Sequence, residues 1–223
     1  MADKKKFAVV LSGCGVYDGA EIHEATMTMY AIVKNGGEYQ VFAPDVDQHH
    51  VINHLTGEEM VGEKRNVLVE SARIARGNIK PLTEYKPEDF DALIFPGGFG
   101  VAKNLSTFAF DGAKCKVLPE VEKAILDTVK LGKPIGGLCI APAMIACVLD
   151  GAKVTIGDDE ATAEEIKKMG GEHIKTTHGM VTVDTRYNVF TTPCYMLQAT
   201  IADIANDANV VVEAMMEHLN KNK

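Results

Sequence analysis

Gly136-Gly137-Leu138-Cys139-Ile140-Ala141-Pro142-Ala143 is the stretch on which the reading of this chain turns. An apolar strand over residues 134–138 runs straight into a cysteine, and a helix over 142–149 follows at once. Pro142 suits a helix only in its first turn, where the N–H it lacks would have had no partner. So tight a strand-to-helix turn is the signature of a nucleophile elbow, in which a strained residue is pushed out at the carboxyl end of the strand. That residue would be Cys139, held exposed. The helix N-terminus offers unpaired N–H groups and a positive dipole end, both favouring thiolate over thiol. The Ile140 N–H would be one oxyanion donor. The competing reading is a buried structural cysteine, since free cysteines are often buried.

Outward from the elbow, short apolar runs alternate with helical patterns. Strands are expected over 7–11, 39–43, 91–95 and 134–138, with a strand-like run over 153–156 and a hairpin pairing 181–184 with 188–191. Asp18 looks like a helix N-cap, with Glu21 three residues on as a capping-box acid, for a helix that stops at Asn35-Gly36-Gly37. Further helices are expected over 118–131 and 162–169, and over most of 196–219. Strands separated by helices imply an α/β fold, a mostly parallel sheet sandwiched by helices. The polar stretch from about 44 to 87, with a helix over 65–76, breaks the rhythm. It reads as an insertion beside the sheet of a single domain spanning 1–223.

The composition is ordinary for a globular chain of 223 residues, 46% hydrophobic and 24% charged. A net charge of −8 argues against a general nucleic-acid binder, which needs a basic face. The opening apolar run, residues 7–13, is too short to span a membrane and is broken by Ser12-Gly13. No Arg-rich transit peptide is present, so the expectation is a cytoplasmic protein. Five cysteines with no C-x-x-C pattern read as free thiols in a reducing compartment, with Cys115 and Cys147 structural.

Three further constellations could carry chemistry. Phe95-Pro96-Gly97-Gly98-Phe99-Gly100 follows a strand, and its glycines let backbone N–H groups approach a ligand. Beside the elbow it reads as a second oxyanion wall; alone, it could be a plain strand-to-helix turn. In Tyr17-Asp18-Gly19-Ala20-Glu21-Ile22-His23-Glu24 the apolar stripe is marked by Ile22, Ala25 and Met29, so periodicity leaves Glu24 either a solvated helix acid or a general acid or base at Cys139. Asp45, Asp47, His49, His50 and His54 cluster, and His50 and His54 have i, i+4 spacing, but a polar surface is the simpler reading and no metal is assigned. Cys14, Cys194 and Tyr195 sit in loops expected near the pocket rim. Gly13-Cys14-Gly15 lacks the third glycine of a dinucleotide fingerprint, having Asp18 at that position.

Taken together, the order strand–loop–Glu24, Phe-Pro-Gly-Gly-Phe-Gly and Gly-Leu-Cys-Ile-Ala-Pro-Ala resembles the deglycase/PfpI superfamily, related to the class I glutamine amidotransferases. The runs at 11–19, 51–58, 97–106 and 192–196 resemble its enhancing-lycopene-biosynthesis (ElbB-type) glyoxalase branch. The resemblance implies a flavodoxin-like, class I glutamine amidotransferase-like fold. It matches Cys139 to the elbow nucleophile, Glu24 to its paired acid, and Gly98 and Ile140 to oxyanion donors, with Gly97 beside them. It implies glutathione-independent glyoxalase activity on a small dicarbonyl, with no cofactor, no membrane and a homodimeric assembly. Many relatives carry a histidine beyond the strand after the elbow helix, where this chain reads Val154-Thr155-Ile156-Gly157-Asp158-Asp159-Glu160. Deglycase or isomerase-like chemistry, and redox sensing or chaperone-like protection through an oxidisable Cys139, are the alternatives.

Overall fold

A computed structural model of the chain describes residues 4–221. The first apolar run forms β1 (Lys6–Val10), in the middle of a seven-stranded sheet. Its side chains divide between two cores, Ala8 and Val10 on one face and Phe7 and Val9 on the other. A strand buried on both faces is apolar throughout and needs helices on both sides.

The remaining strands are β2 (Glu38–Ala43), β3 (Ile79–Pro81), β4 (Ala92–Phe95), β5 (Ile135–Leu138), β6 (Lys153–Val154), β7 (Glu172–His173), β8 (Thr182–Asp184) and β9 (Val189–Thr192). The main sheet runs β3-β2-β1-β4-β5-β9-β8, parallel except where β8 pairs antiparallel with β9. Setting aside the edge strands β3 and β8, the five central strands follow the 2-1-3-4-5 order of flavodoxin-like sheets, whose switch point lies between β1 and β4. The helices are α1 (Ile22–Lys34), α2 (Val67–Ile74), α3 (Phe108–Asp111), α4 (Pro119–Lys130), α5 (Ala141–Val148), α6 (Glu160–Lys168) and α7 (Ile201–Lys221). Helices α1 and α7 fill the core on the Phe7 face, while α4 and α5 fill the core on the Ala8 face. The expected α/β sandwich is therefore the observed one.

Several local expectations are corrected. Asp18 does not cap α1: its carboxylate accepts the Ile52 N–H at 2.7 Å, and Glu21 is the cap, accepting the Glu24 N–H at 2.7 Å. The helix starts late because residues 19–21 are held extended against the 97–100 loop. The Glu21 N–H donates to the Gly97 carbonyl and the Gly100 N–H to the Gly19 carbonyl. The stretch 44–87 is not wholly beside the sheet. Its last part supplies α2 and then β3, which joins β2 in parallel register. The run 153–156 pairs only as far as Val154, and with β7 in a separate two-stranded sheet. The C-terminal helix begins at Ile201, after a short turn at Cys194–Met196.

One buried amide ties the long polar segment to the sheet. Asn104 lies in a wide π-turn, Val101–Leu105. Its side chain donates to the carbonyls of Ser12 (2.9 Å) and Asp18 (2.8 Å) and accepts the His49 N–H at 2.9 Å. Three backbone groups from two distant loops thus share one side chain, and removing it leaves them without partners. Asn104→Ala is expected to lower stability by about 2–3 kcal/mol, read as a shift in the urea midpoint. A change within experimental error would show that water replaces the amide there.

Candidate active site

Cys139 has φ of +59°, a left-handed conformation that strains any residue with a β-carbon. The strain is held from both sides. The Cys139 N–H donates to the Thr192 carbonyl of the neighbouring strand at 3.0 Å, and Ile140 caps α5 with Pro142 in its first turn. The elbow is as expected, but its side chain is not exposed. Cys139 is only 8% accessible, in the wall of a cavity of about 400 Å³ outside the carboxyl ends of β4 and β5. The closing groups are Phe99, Tyr195 and Met196, from loops far apart in sequence.

Glu24 faces the same place. It is fully buried on α1, on a face shared with Thr28, Ala31 and Ile32, while Ile22 is 43% exposed. Of the apolar stripe read in the sequence, Ala25 and Met29 are buried and Ile22 is not, and the buried face is wide enough to take in Glu24 as well. One carboxyl oxygen accepts the Gly97 N–H at 2.9 Å and the other the Tyr195 N–H at 3.2 Å. The Cys139 thiol is hydrogen-bonded to the carboxyl. The tightness shows at Gly97. A β-carbon there would stand 2.6 Å from Glu24 Oε2 and 3.0 Å from Cys139 Sγ, and would collide with Cys139 Cβ.

Gly98, with φ of +101°, turns the loop so that its N–H points at the Cys139 sulfur, as does the Ile140 N–H. Two amides from different strand ends thus converge on the sulfur, the arrangement expected of an oxyanion hole. They do not make a low-pKa thiol. Burial, helped by the Glu24 charge, holds Cys139 well above the ordinary thiol value, and the Gly98 and Ile140 amides offset only part of this. Burial and the neighbouring Glu21 charge push Glu24 up to about 8, against the pull of the Tyr195 amide, the Cys139 thiol and the Gly97 amide. At pH 7 the pair therefore holds both protons in most molecules. The expected ready thiolate is corrected: α5 supplies amides, but desolvation outweighs them.

The other sequence candidates separate. Tyr195 belongs to the cavity wall, and its hydroxyl bonds His23 Nδ1 at 2.8 Å. Cys194 is fully buried behind it, close enough to Glu24 and Cys139 for their charges to raise its pKa, after burial as the main cause. Cys14 does not line the cavity; it sits beside Glu70 and Arg73. Among the described residues no histidine lines the cavity. His178 is held by Asp207 at 2.7 Å and by the Gln198 carbonyl at 3.0 Å, and His173 lines a different groove. The Asp/His-rich run disperses. Asp45 accepts from Asn66, His49 and His50 pack on Phe110, and His54 accepts the Tyr17 N–H. Among the described residues no three His, Cys, Asp or Glu groups are placed to hold a metal ion. No helix among them is long and apolar enough to cross a membrane.

Two cavity acids escaped the sequence reading. Glu21, explained as a capping acid, also lines the cavity and acts electrostatically on Glu24. Asp159, the N-cap of α6, lines it from the far side. Capping residues are common, so nothing in the pattern marks these two as belonging to a site.

No protein-family model matches the chain. The human protein named glutamine amidotransferase-like class 1 domain-containing protein 3, mitochondrial, is 47% identical over 221 residues, spanning 95% of this chain and 82% of that protein. The rat ES1 protein homolog, mitochondrial, is 45% identical over 223 residues, spanning 96% and 84%. A crystal structure of an isoprenoid biosynthesis protein with amidotransferase-like domain from Ehrlichia chaffeensis matches with a TM-score of 0.90 at 36% identity, over 96% of this chain and 99% of that one. Glyoxalase III from Candida albicans, at 14% identity, a TM-score of 0.60 and 96% of either chain, shares the fold alone. The mitochondrial names overturn the cytoplasmic expectation. That expectation rested on the lack of an Arg-rich opening, and an absence carries no address. With nearly half its residues shared across almost its full length, this chain belongs to the family of the glutamine amidotransferase-like class 1 domain-containing protein 3 and ES1 proteins, within the class I glutamine amidotransferase-like and DJ-1/ThiJ/PfpI fold.

Proposed function

We propose that the chain is a cysteine-dependent, glutathione-independent glyoxalase that converts methylglyoxal or glyoxal to the 2-hydroxy acid. The observation that carries this reading is the fully buried Glu24 carboxyl hydrogen-bonded to the Cys139 thiol, which itself lines the cavity. A buried acid tuned close to neutral pH is what proton transfer to and from carbon requires.

Glu24 takes the thiol proton as the Cys139 sulfur bonds to the aldehyde carbon, and the resulting oxyanion lies against the Gly98 and Ile140 amides. Glu24 hands the thiol proton on to that oxygen, which gives a hemithioacetal and leaves the carboxylate free to act again as base. Glu24 then removes the hydrogen from this carbon, next to the ketone, and delivers it to the neighbouring carbon through an enediol, while the hydroxyl proton passes to the former ketone oxygen. The product is a thioester of the 2-hydroxy acid, which water cleaves to free Cys139. Oxidation at one carbon balances reduction at the other, so the sequence of steps needs no external redox partner. Hydrolysis of amides, which leans on a histidine base, is less well supported, since none lines the cavity. Peroxide sensing at Cys139 is likewise disfavoured by its burial and raised pKa.

Lactate formation from methylglyoxal tests the reading. Cys139→Ala is expected to abolish turnover and Glu24→Gln to reduce it by about 10²–10⁴-fold; undiminished activity in either variant would overturn the assignment. The pH profile is a second test. The pair must shed one proton before sulfur attacks, so kcat/KM should rise with pH through about 8 and then level off. An activity that falls over the same range would reverse the assigned proton flow.

Folding stability gives a third test, independent of turnover. Glu24 rises from 4.5 in an open chain to about 8 when folded. Between those values the folded state binds the extra proton, so this group's contribution is full below 4.5 and is lost as pH rises through 8. Wild-type protein should therefore lose up to about 1.4 kcal/mol per pH unit relative to Glu24→Gln across this window. Parallel stability profiles for the two proteins would show that Glu24 is ionised at little cost.

A further inference from the structure

On the far side of α5 from the elbow, Cys115 and Cys147 meet. Cys115 closes the short turn Gly112–Lys114, and Cys147 lies in the last turn of α5. Their sulfurs are 2.8 Å apart, with the Cys115 thiol directed at Cys147 Sγ, while the Cys147 thiol, when protonated, donates to the Cys115 carbonyl oxygen at 3.3 Å. Both side chains are partly exposed, unlike Cys139 and Cys194, and neither lines the catalytic cavity. The two residues stand 32 positions apart and on separate elements, so only the fold brings them together. The proposed reaction uses neither of them.

We propose that Cys115 and Cys147 are a reversible redox modification site, closing to an intramolecular disulfide under hydroperoxide. The sulfurs are within about 1 Å of bonding distance. The hydrogen bond from Cys115 favours the thiolate on Cys147 once that thiol gives up its own bond to the Cys115 carbonyl, which makes Cys147 the first to react. In the first step the Cys147 thiolate attacks the peroxide oxygen. An S–O bond forms, the O–O bond breaks, and the departing hydroxide takes a proton to become water. Cys147, now a sulfenic acid, has been oxidised by two electrons and the peroxide reduced by two. In the second step Cys115 loses its proton and attacks the Cys147 sulfur. The S–S bond forms, the S–O bond breaks, and hydroxide leaves to become a second water. A dithiol reductant returns two electrons and two protons and restores the pair.

The test uses the full chain, reduced, desalted and exposed to a few equivalents of hydrogen peroxide, then blocked with a maleimide and digested for mass spectrometry. The expected result is a peptide pair joined through Cys115 and Cys147, lighter than the two reduced peptides by two hydrogens. Two of the five thiols should be lost to the maleimide and restored by dithiothreitol. The link should form more than tenfold faster in folded protein than in urea, because proximity is a property of the fold. In Cys115→Ser protein, Cys147 should stop at the sulfenic acid and be captured by dimedone. Equal rates in folded and unfolded chain, links between molecules instead of within one, or Cys139 as the first thiol oxidised would each overturn the proposal.

Discussion

A carboxyl group with no access to water must find its partners within the chain, and Glu24 sets that demand for the whole site. Its oxygens take N–H groups from two loops that are distant in sequence, at Gly97 and Tyr195. To bring those loops together, α1 must start late, the 97–100 loop must pass flat against residues 19–21, and the chain after β9 must turn at Cys194, where φ is +45°. Gly97 can be nothing larger, because it fills the gap between acid and thiol. The geometry of the candidate site and the packing at the carboxyl end of the sheet are thus one constraint seen from two directions.

The sequence makes some parts of this legible and hides others for physical reasons. The elbow is local: strand, cysteine and helix are contiguous, and Pro142 marks the first turn. The glycine loop after Phe95 is local as well. Glu24 is different. Its helix buries Glu24 and Thr28 together with Ala25 and Met29 and leaves Ile22 largely open, so an apolar stripe cannot tell that the acid shares the buried face, and family resemblance alone singles the residue out. Helix-start patterns misplace the cap at Asp18 because a long-range contact with the glycine loop overrides the local capping box. Strands β3, β6 and β7, of two or three residues, are too short to show a period. The burial of Cys139 depends on side chains converging from two loops nearly a hundred residues apart, which no window of sequence contains.

The polar segment after β2 shows how such a fold carries added chain. Its anchors are side chains rather than a core of its own: Asp18 takes the Ile52 amide and Asn104 takes the His49 amide. Both anchors lie beside the carboxyl ends of β1 and β4, where the sheet already exposes unpaired backbone. A segment attached there is held without disturbing either hydrophobic layer, and none of its residues lines the cavity.

The cavity also has a sign. Glu21 and Asp159 line it from opposite sides, and no lysine or arginine lines it among the described residues. Thr162 holds the Asp159 carboxyl below the usual carboxylate range. Two acids set in a mostly apolar lining disfavour phosphates and carboxylates and favour neutral compounds. For a reaction that turns a neutral dicarbonyl into a hydroxy-acid anion, the same field that is indifferent to the incoming molecule drives out the finished one. Such a wall would speed release of the product and leave the equilibrium of the reaction where the chemistry puts it.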